Sequence, residues 1–129
     1  MFATGIQQDL QARHYLRGDF GEESRPHSHP YRVELICRTS VLDSHGFSTD
    51  IDLLESSLHK TLAQIDNVLL NDLPFFKDRQ PSLENLCLYI SESVRRELGT
   101  SAQEIEIKIW ESAIAWASYS DAVTDSARG

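Results

Sequence analysis

Two segments in which apolar and polar residues alternate lie before residue 42, and two more lie after residue 104. Alternation of this kind is typical of strands with one buried face. The first pair covers residues 6–16 and 31–41, and the second pair covers residues 105–109 and 114–119. In the first segment, one parity carries Ile6, Leu10, Ala12, His14 and Leu16. The pattern therefore predicts four strands, arranged as two pairs in the sequence.

Between the strand pairs, apolar residues recur every three or four positions, which is the spacing of amphipathic helices. We expect the first helix to begin after Thr49 or Asp50, since either side chain is a good N-cap. We expect the second helix to begin near Ser82 and to end at Gly99. Their apolar stripes are Ile51, Leu54, Leu58, Leu62 and Ile65, and then Leu83, Leu86, Cys87, Ile90, Val94 and Leu98.

The predicted order of elements is β-β-α-α-β-β, which favours an α+β fold. In such a fold a four-stranded antiparallel sheet carries both helices on one face. Residues 1–120 are expected to form a single domain, and the small polar residues 121–129 a disordered tail. A four-stranded sheet has two open edges, and open edges commonly pair with another subunit. A homo-oligomer is therefore expected.

The composition narrows the choice of partners and compartment. The net charge of −8 and the lack of a basic cluster interleaved with aromatics argue against nucleic-acid binding. No apolar stretch reaches membrane-spanning length, and the first residues do not resemble a signal peptide, so no membrane association is expected. The two cysteines, Cys37 and Cys87, lie in apolar patterns. Buried thiols fit a reducing compartment, and we expect a cytoplasmic protein.

Three histidines are candidate metal ligands. His27 and His29 lie two residues apart at the entrance to a strand, so both rings can point to one side. His14 lies on the apolar parity of the first strand, where an unpaired polar group is unfavourable. If the two strands pair, the three imidazoles can converge into an open zinc site of the catalytic type. The alternative is a hydrogen-bonded core histidine and two solvated loop histidines, and spacing alone leaves both open.

Carboxylates supply the other candidate site residues. Glu111 continues the inward parity of the third strand, and a carboxylate there favours two parallel N–H donors. Those donors could belong to an amino-pyrimidinone edge or an arginine, or the strand end could simply face water. Glu22 and Glu23 precede the histidine pair, where one could act as general base or both could be solvated. Asp66 and Asn67 end the first helix and could be C-cap residues.

Six short segments together resemble the 6-pyruvoyltetrahydropterin synthase family, which includes the bacterial 6-carboxytetrahydropterin synthases. The resemblance extends from about residue 10 to residue 119. In the first half, LQARHYL is similar to F-x-A-x-H-x-L, HSHPYRVEL to H-G-H-x-Y-x-V-x-V, and GFSTDIDLLE to G-x-x-x-D-F-x-x-L-K. In the second half, IDNVLLND is similar to L-D-H-x-x-L-N, QPSLENLCLYI to N-P-T-x-E-N-x-A-x-Y-I, and KIWES to V-x-E-T.

This resemblance implies a role for each candidate residue. His14, His27 and His29 correspond to the zinc ligands, and Glu111 to the glutamate that binds the amino-pyrimidinone edge of the pterin. Asp66 corresponds to the aspartate of a catalytic Asp-His pair. Ser82 replaces the threonine that follows the family's proline, and it is assigned to substrate binding. The implied architecture is the tunnelling fold, in which subunits join edge to edge as trimers or hexamers.

The chain departs from the family pattern where protons are transferred. The catalytic cysteine is replaced by Glu23, and the histidine of the Asp-His pair by Asn67, whose amide does not relay a proton near neutral pH. The resemblance implies a zinc-dependent pterin lyase that acts on dihydroneopterin triphosphate or a related pterin, with Glu23 as acid and base. The alternative is a catalytically silent pterin- or purine-binding protein, or an oligomeric scaffold.

Overall fold

The six regular elements follow the order β-β-α-α-β-β in a computed structural model that describes residues 1–123. The predicted α+β class, with one antiparallel sheet of four strands, is confirmed. The elements are β1 (Phe2–His14), β2 (His27–Thr39), α1 (Ile51–Ala63), α2 (Leu83–Leu98), β3 (Glu104–Trp110) and β4 (Trp116–Ala122). Among these residues neither helix is both long and apolar enough to cross a membrane.

The first two strands differ from their predicted bounds. β1 begins at Phe2 and ends at His14, whereas residues 6–16 were predicted, and β2 begins at His27, before the predicted start at residue 31. Pairing of His14 with His27 extends the ladder to this point. Pro30 is tolerated there because β3 pairs with β2 only from Arg32 onward, so this part of β2 has one neighbour.

The C-terminal boundary also differs from the prediction. Asp121 and Ala122, which were assigned to the disordered tail, are the last residues of β4. Asp121 accepts a 2.9 Å hydrogen bond from the Arg95 guanidinium, which ties the end of β4 to α2. The remainder of the predicted tail, residues 124–129, lies outside the described residues.

The core lies between one face of the sheet and the two helices. The strands are adjacent in the order β1-β2-β3-β4, so their alternating residues reach the same face together. The sheet contributes Leu10, Ala12, Tyr31, Val33, Leu35, Cys37, Ile105, Ile107 and Ile109, all buried. Helix α1 packs on β1, and α2 packs on α1, β3 and β4. This arrangement leaves β1 and β4 as edges within the described part of the chain.

The helix ends follow their capping residues. The Asp50 side chain accepts a hydrogen bond from the backbone N–H of Asp52 at 3.0 Å, which fixes the start of α1. The Ser82 hydroxyl oxygen accepts one from the backbone N–H of Asn85 at 3.2 Å and starts α2. Helix α2 ends at Gly99, whose φ of 57° lies in the left-handed region that glycine adopts at low cost.

Truncation of a buried sheet residue should destabilise the fold strongly. Ile107 is 0% exposed in the centre of β3, so Ile107→Ala should lower the free energy of unfolding by about 3 kcal/mol. Ile114 is 90% exposed in the β3–β4 turn, and Ile114→Ala should change it by less than about 0.5 kcal/mol. Denaturant unfolding of both variants measures the difference, and equal losses would contradict the described core.

Candidate active site

The three candidate histidines meet at one end of the β1–β2 pair. His14 is directly opposite His27, and His29 lies two residues further along β2, so all three rings reach the core face. The ring centroids are 4.6 Å apart for His14 and His27, 5.3 Å for His14 and His29, and 4.7 Å for His27 and His29. The structure therefore brings together the three residues that the sequence singled out.

Backbone carbonyls orient two of these rings. The Nδ1–H of His14 donates to the carbonyl oxygen of Pro81 at 2.7 Å, and the Nδ1–H of His27 donates to that of Arg25 at 2.7 Å. Because a carbonyl oxygen only accepts, Nδ1 of each ring carries a proton, and in the neutral ring the lone pair therefore lies on Nε2. Both Nε2 atoms are buried and have no hydrogen-bond partner within residues 1–123. Buried nitrogens of this kind fit a metal ion, which would satisfy them.

The surroundings of His14 favour its neutral form, which is the form that can bind a metal ion. Burial lowers the pKa of His14, and the neighbouring charges of His27 and His29 lower it further, while the hydrogen bond to Pro81 opposes the shift. A lowered pKa favours the neutral imidazole at neutral pH. Only the neutral ring offers a lone pair to a metal.

Glu23 completes the cluster. Its carboxylate and the three histidines offer four ligand atoms, which all lie within 4.8 Å of one another. One carboxylate oxygen is 3.1 Å from His27 Nε2, although the direction does not satisfy a hydrogen bond. Glu23 lies in a short 3₁₀ turn, Gly21–Ser24, and its carbonyl oxygen accepts a hydrogen bond from the backbone N–H of Leu16 at 2.7 Å. The loop therefore holds this carboxylate beside the histidines.

A cleft of about 940 Å³ lies on the sheet and begins at Pro30 and Tyr31, the residues that follow His29, while no residue of the cluster lines it. Its lining includes Gln11, Tyr31, Asp66, Trp110 and Glu111. The volume is in the range of small-molecule sites in proteins. The cleft therefore supplies room for an organic ligand.

Glu111 lies at a strand end that faces water, which is one of the alternatives that the sequence pattern left open. β3 ends at Trp110, and Glu111 is exposed at the rim of the cleft. The reason is the turn that follows β3, which is closed by a hydrogen bond from the Glu111 backbone N–H to Ala115 at 3.1 Å. Among the described residues no arginine or lysine forms an ion pair with Glu111, so its carboxylate is open to a ligand.

Asp66 and Asn67 join the end of α1 to β1. One carboxylate oxygen of Asp66 accepts from the backbone N–H of Gln11 at 3.1 Å, and the other accepts from the Asn67 side-chain amide at 3.4 Å. Asn67 adopts a positive φ of 60°, and its backbone N–H donates to the Gln11 carbonyl at 2.6 Å. Asp66 thus lines the cleft while it also has a structural role.

Ser82 is not brought into the cleft. Its side chain caps α2, and it does not line the cleft that contains Glu111. It follows Pro81, whose carbonyl oxygen contacts His14, so it lies one residue from the histidine cluster. Its assignment to substrate binding remains a prediction.

Tyr31 lines the cleft as well, although the sequence pattern did not single it out as a candidate site residue. It is 3% exposed and lines the cleft, and its ring centroid lies 5.6 Å from that of His29. Burial raises its pKa, and the charges of Glu111 and Glu23 raise it further. The sequence did contain a signal for this role. Tyr31 lies two residues after His29, so both side chains face the same side of the strand.

Solved structures of known proteins share this fold. The chain is similar to 6-pyruvoyl tetrahydropterin synthase of Caenorhabditis elegans, with a TM-score of 0.82 and 20% identity over 94% of this chain and 96% of that chain. The Plasmodium vivax protein of the same name matches with a TM-score of 0.74 and 16% identity over 95% of this chain and 100% of that chain. At these identities the likeness shows the fold alone.

A third similar structure is a variant of the Plasmodium vivax protein. In this variant a glutamate described as a catalytic residue is replaced by alanine, and it matches with a TM-score of 0.73 and 16% identity over 95% of this chain and 100% of that chain.

Sequence comparison identifies the family. No curated protein matches the chain significantly in sequence. The family model described as 6-pyruvoyl tetrahydropterin synthase matches residues 5–122, which is most of the chain. The chain therefore belongs to the 6-pyruvoyl tetrahydropterin synthase family.

Proposed function

We propose that this chain is a zinc-dependent lyase that acts on the side chain of a pterin, either dihydroneopterin triphosphate or a related compound. The observation that carries the proposal is the convergence of three histidines and Glu23, in which the buried Nε2 atoms of His14 and His27 have no hydrogen-bond partner. A ligand-sized cleft begins two residues after His29, at Tyr31. Membership of the family supports the pterin as substrate. The proposal assigns one chemical task to each of three groups of residues.

In this proposal His14, His27 and His29 hold the zinc. Three imidazoles leave a coordination position open when Glu23, the fourth group of the cluster, serves as the base and not as a ligand. An open position is the arrangement of catalytic rather than structural zinc sites. When bound, the ion supplies Lewis-acid polarisation of the hydroxyl groups on the pterin side chain. The carbonyl oxygens of Pro81 and Arg25 keep the His14 and His27 rings in the ligand tautomer.

Glu23 is the proposed acid and base. Its carboxylate lies among the histidine ligand atoms, where it can reach a proton on the side-chain carbon of a bound pterin. The relative from Plasmodium vivax supports the choice, because a glutamate is named as its catalytic residue. Asp66 acts beside it as a positioning residue, since its hydrogen bonds to Gln11 and Asn67 hold the cleft wall at the end of α1.

Glu111 is the proposed anchor of the ring. Its two carboxylate oxygens can accept the two parallel N–H groups of an amino-pyrimidinone edge. Ser82 uses its oxygen as an acceptor for the α2 cap, which leaves its hydroxyl hydrogen for a substrate oxygen.

Assembly and location belong to the same proposal. We propose a homo-oligomer, a trimer or hexamer, because β1 and β4 each pair with a single strand among the described residues. The free thiols of Cys37 and Cys87 support a reducing compartment, the cytoplasm.

One observation favours a second candidate, a catalytically silent pterin-binding protein. The amide of Asn67 is hydrogen-bonded to Asp66 and replaces the histidine that relays protons in the family pattern. A silent protein would bind one pterin per chain and release no product. Product analysis with Glu23 variants separates the two candidates.

Zinc content tests the metal ligands. The metal-free protein reloaded with zinc should retain about one ion per chain. Replacing His27 or His29 by alanine should weaken zinc binding by more than the roughly 10–100-fold typical of a lost supporting hydrogen bond. His45→Ala is the matched control, because His45 is an exposed turn residue outside the cluster. Elemental analysis after dialysis gives the content, and equal zinc in all variants would exclude the site.

Ligand binding tests the anchor. Glu111→Ala should abolish neopterin binding, measured by calorimetry, and leave the zinc content unchanged, because Glu111 lies outside the metal cluster. Glu92→Ala, on the exposed face of α2, should bind as the unaltered protein does. Loss of zinc from the Glu111 variant would contradict this division of tasks.

Product identification tests the base. Mass spectrometry should show a pyruvoyl, carboxy or 6-hydroxymethyl pterin when the zinc-loaded protein is mixed with dihydroneopterin triphosphate. Glu23→Gln should lower the rate by about 10²–10⁴-fold, because a general base is lost. The neighbouring Glu22→Gln should not, since that side chain is 89% exposed and outside the cluster. Unchanged substrate together with stoichiometric binding would favour the silent candidate.

A further inference from the structure

The hydroxyl group of Tyr31 lacks a partner in the described structure. The residue as a whole is 3% exposed, and no group among residues 1–123 forms a hydrogen bond with its side chain. Its hydroxyl oxygen is not one of the buried polar atoms that lack a partner, so it is accessible to solvent. Because Tyr31 lines the cleft, a molecule in the cleft can accept a hydrogen bond from this hydroxyl.

Tyr31 adjoins both the cleft and the histidine cluster. It lines the same cavity as Glu111, the proposed ring anchor. Its ring also lies 5.6 Å from the ring of His29 and 6.5 Å from that of His14, although no histidine lines the cleft itself. A ligand that is anchored at Glu111 and extends towards the histidines would therefore lie near Tyr31.

A pterin has a hydrogen-bond acceptor next to the carbon from which its side chain leaves the ring. Its amino-pyrimidinone edge forms one end of the fused ring, and the side chain leaves the ring from carbon 6 at the other end. Nitrogen 5 adjoins carbon 6, and in oxidised and 7,8-dihydro pterins it has a lone pair and no hydrogen. It therefore requires a hydrogen-bond donor. A phenol is protonated at neutral pH and supplies one.

We propose that the Tyr31 hydroxyl donates a hydrogen bond to nitrogen 5 of the bound pterin. This inference rests on the proposed function and adds a substrate-binding residue to the same site. Donation to nitrogen 5 draws electron density from the adjacent double bond to carbon 6. It thereby favours loss of a proton from the side-chain carbon, which is the step assigned to Glu23. The site would also select pterins by ring oxidation state, because a tetrahydropterin carries a hydrogen on nitrogen 5.

A pair of ligands tests the bond directly. Calorimetry on the zinc-loaded protein compares neopterin with its 5-deaza analogue, in which a C–H group replaces nitrogen 5 with little change of shape. The unaltered protein should bind the analogue about 10-fold more weakly, or worse, because the Tyr31 hydroxyl loses its acceptor in a complex that excludes water from it. In Tyr31→Phe the two ligands should bind equally. Tyr89→Phe, a tyrosine that packs on Phe75 and Phe76 outside the cleft, should keep the preference.

The outcomes separate this inference from the proposed function. If neither ligand binds to the unaltered protein, both are overturned. Equal binding of the two ligands to the unaltered protein overturns the nitrogen 5 bond and leaves the pterin site in place, a result that does not depend on any variant. A preference for neopterin that persists in Tyr31→Phe, with zinc content and melting temperature unchanged, assigns the bond to another residue and overturns the role of Tyr31.

Discussion

The antiparallel register between β1 and β2 is the constraint on which the candidate site depends. It places His14 opposite His27 and Leu10 opposite Tyr31, so one face of the pair carries ligands at its end and core residues along its length. A shift of one residue would turn His27 and His29 to the opposite face of the sheet. The buried core holds the register, because Val33 and Leu35 would leave the interior in the same shift. Stability of the fold and assembly of the histidine cluster therefore have the same cause.

Backbone carbonyl oxygens orient two rings of the histidine cluster. The carbonyl oxygen of Pro81 holds His14 from the start of α2, and that of Arg25 holds His27 from the loop before β2. Each contact fixes a tautomer and directs the lone pair of Nε2 into the cluster. The site therefore requires three parts of the chain: the end of β1, the loop before β2 together with the start of β2, and the residues before α2. The ring orientation is largely set before a ligand binds, which lowers the cost of ordering on binding.

Much of this arrangement was predictable from local patterns, and the errors have a common origin. Periodicity located all six elements, and the parity of His14 pointed to the cluster. The predicted start of β2 and the predicted end of β4 were wrong because both depend on pairing between segments that are distant in sequence. The His14–His27 pair extends β2, and the Glu104–Ala122 pair extends β4. Tyr31 was missed because an aromatic residue on an inward parity has the same pattern in a packed core and in the wall of a cleft.

The backbone of the loop that carries Glu23 is held by contacts that do not involve the Glu23 side chain. Its position is fixed by main-chain hydrogen bonds, from the Leu16 N–H to the Glu23 carbonyl at 2.7 Å and from the Glu23 N–H to the Phe20 carbonyl at 3.2 Å. Neither bond depends on which side chain residue 23 has. A mutation at this codon can therefore exchange a thiol, a carboxylate or an amide beside the three histidines at little cost to folding. In evolutionary terms, such a position lets a lineage change its reaction while it inherits the same scaffold.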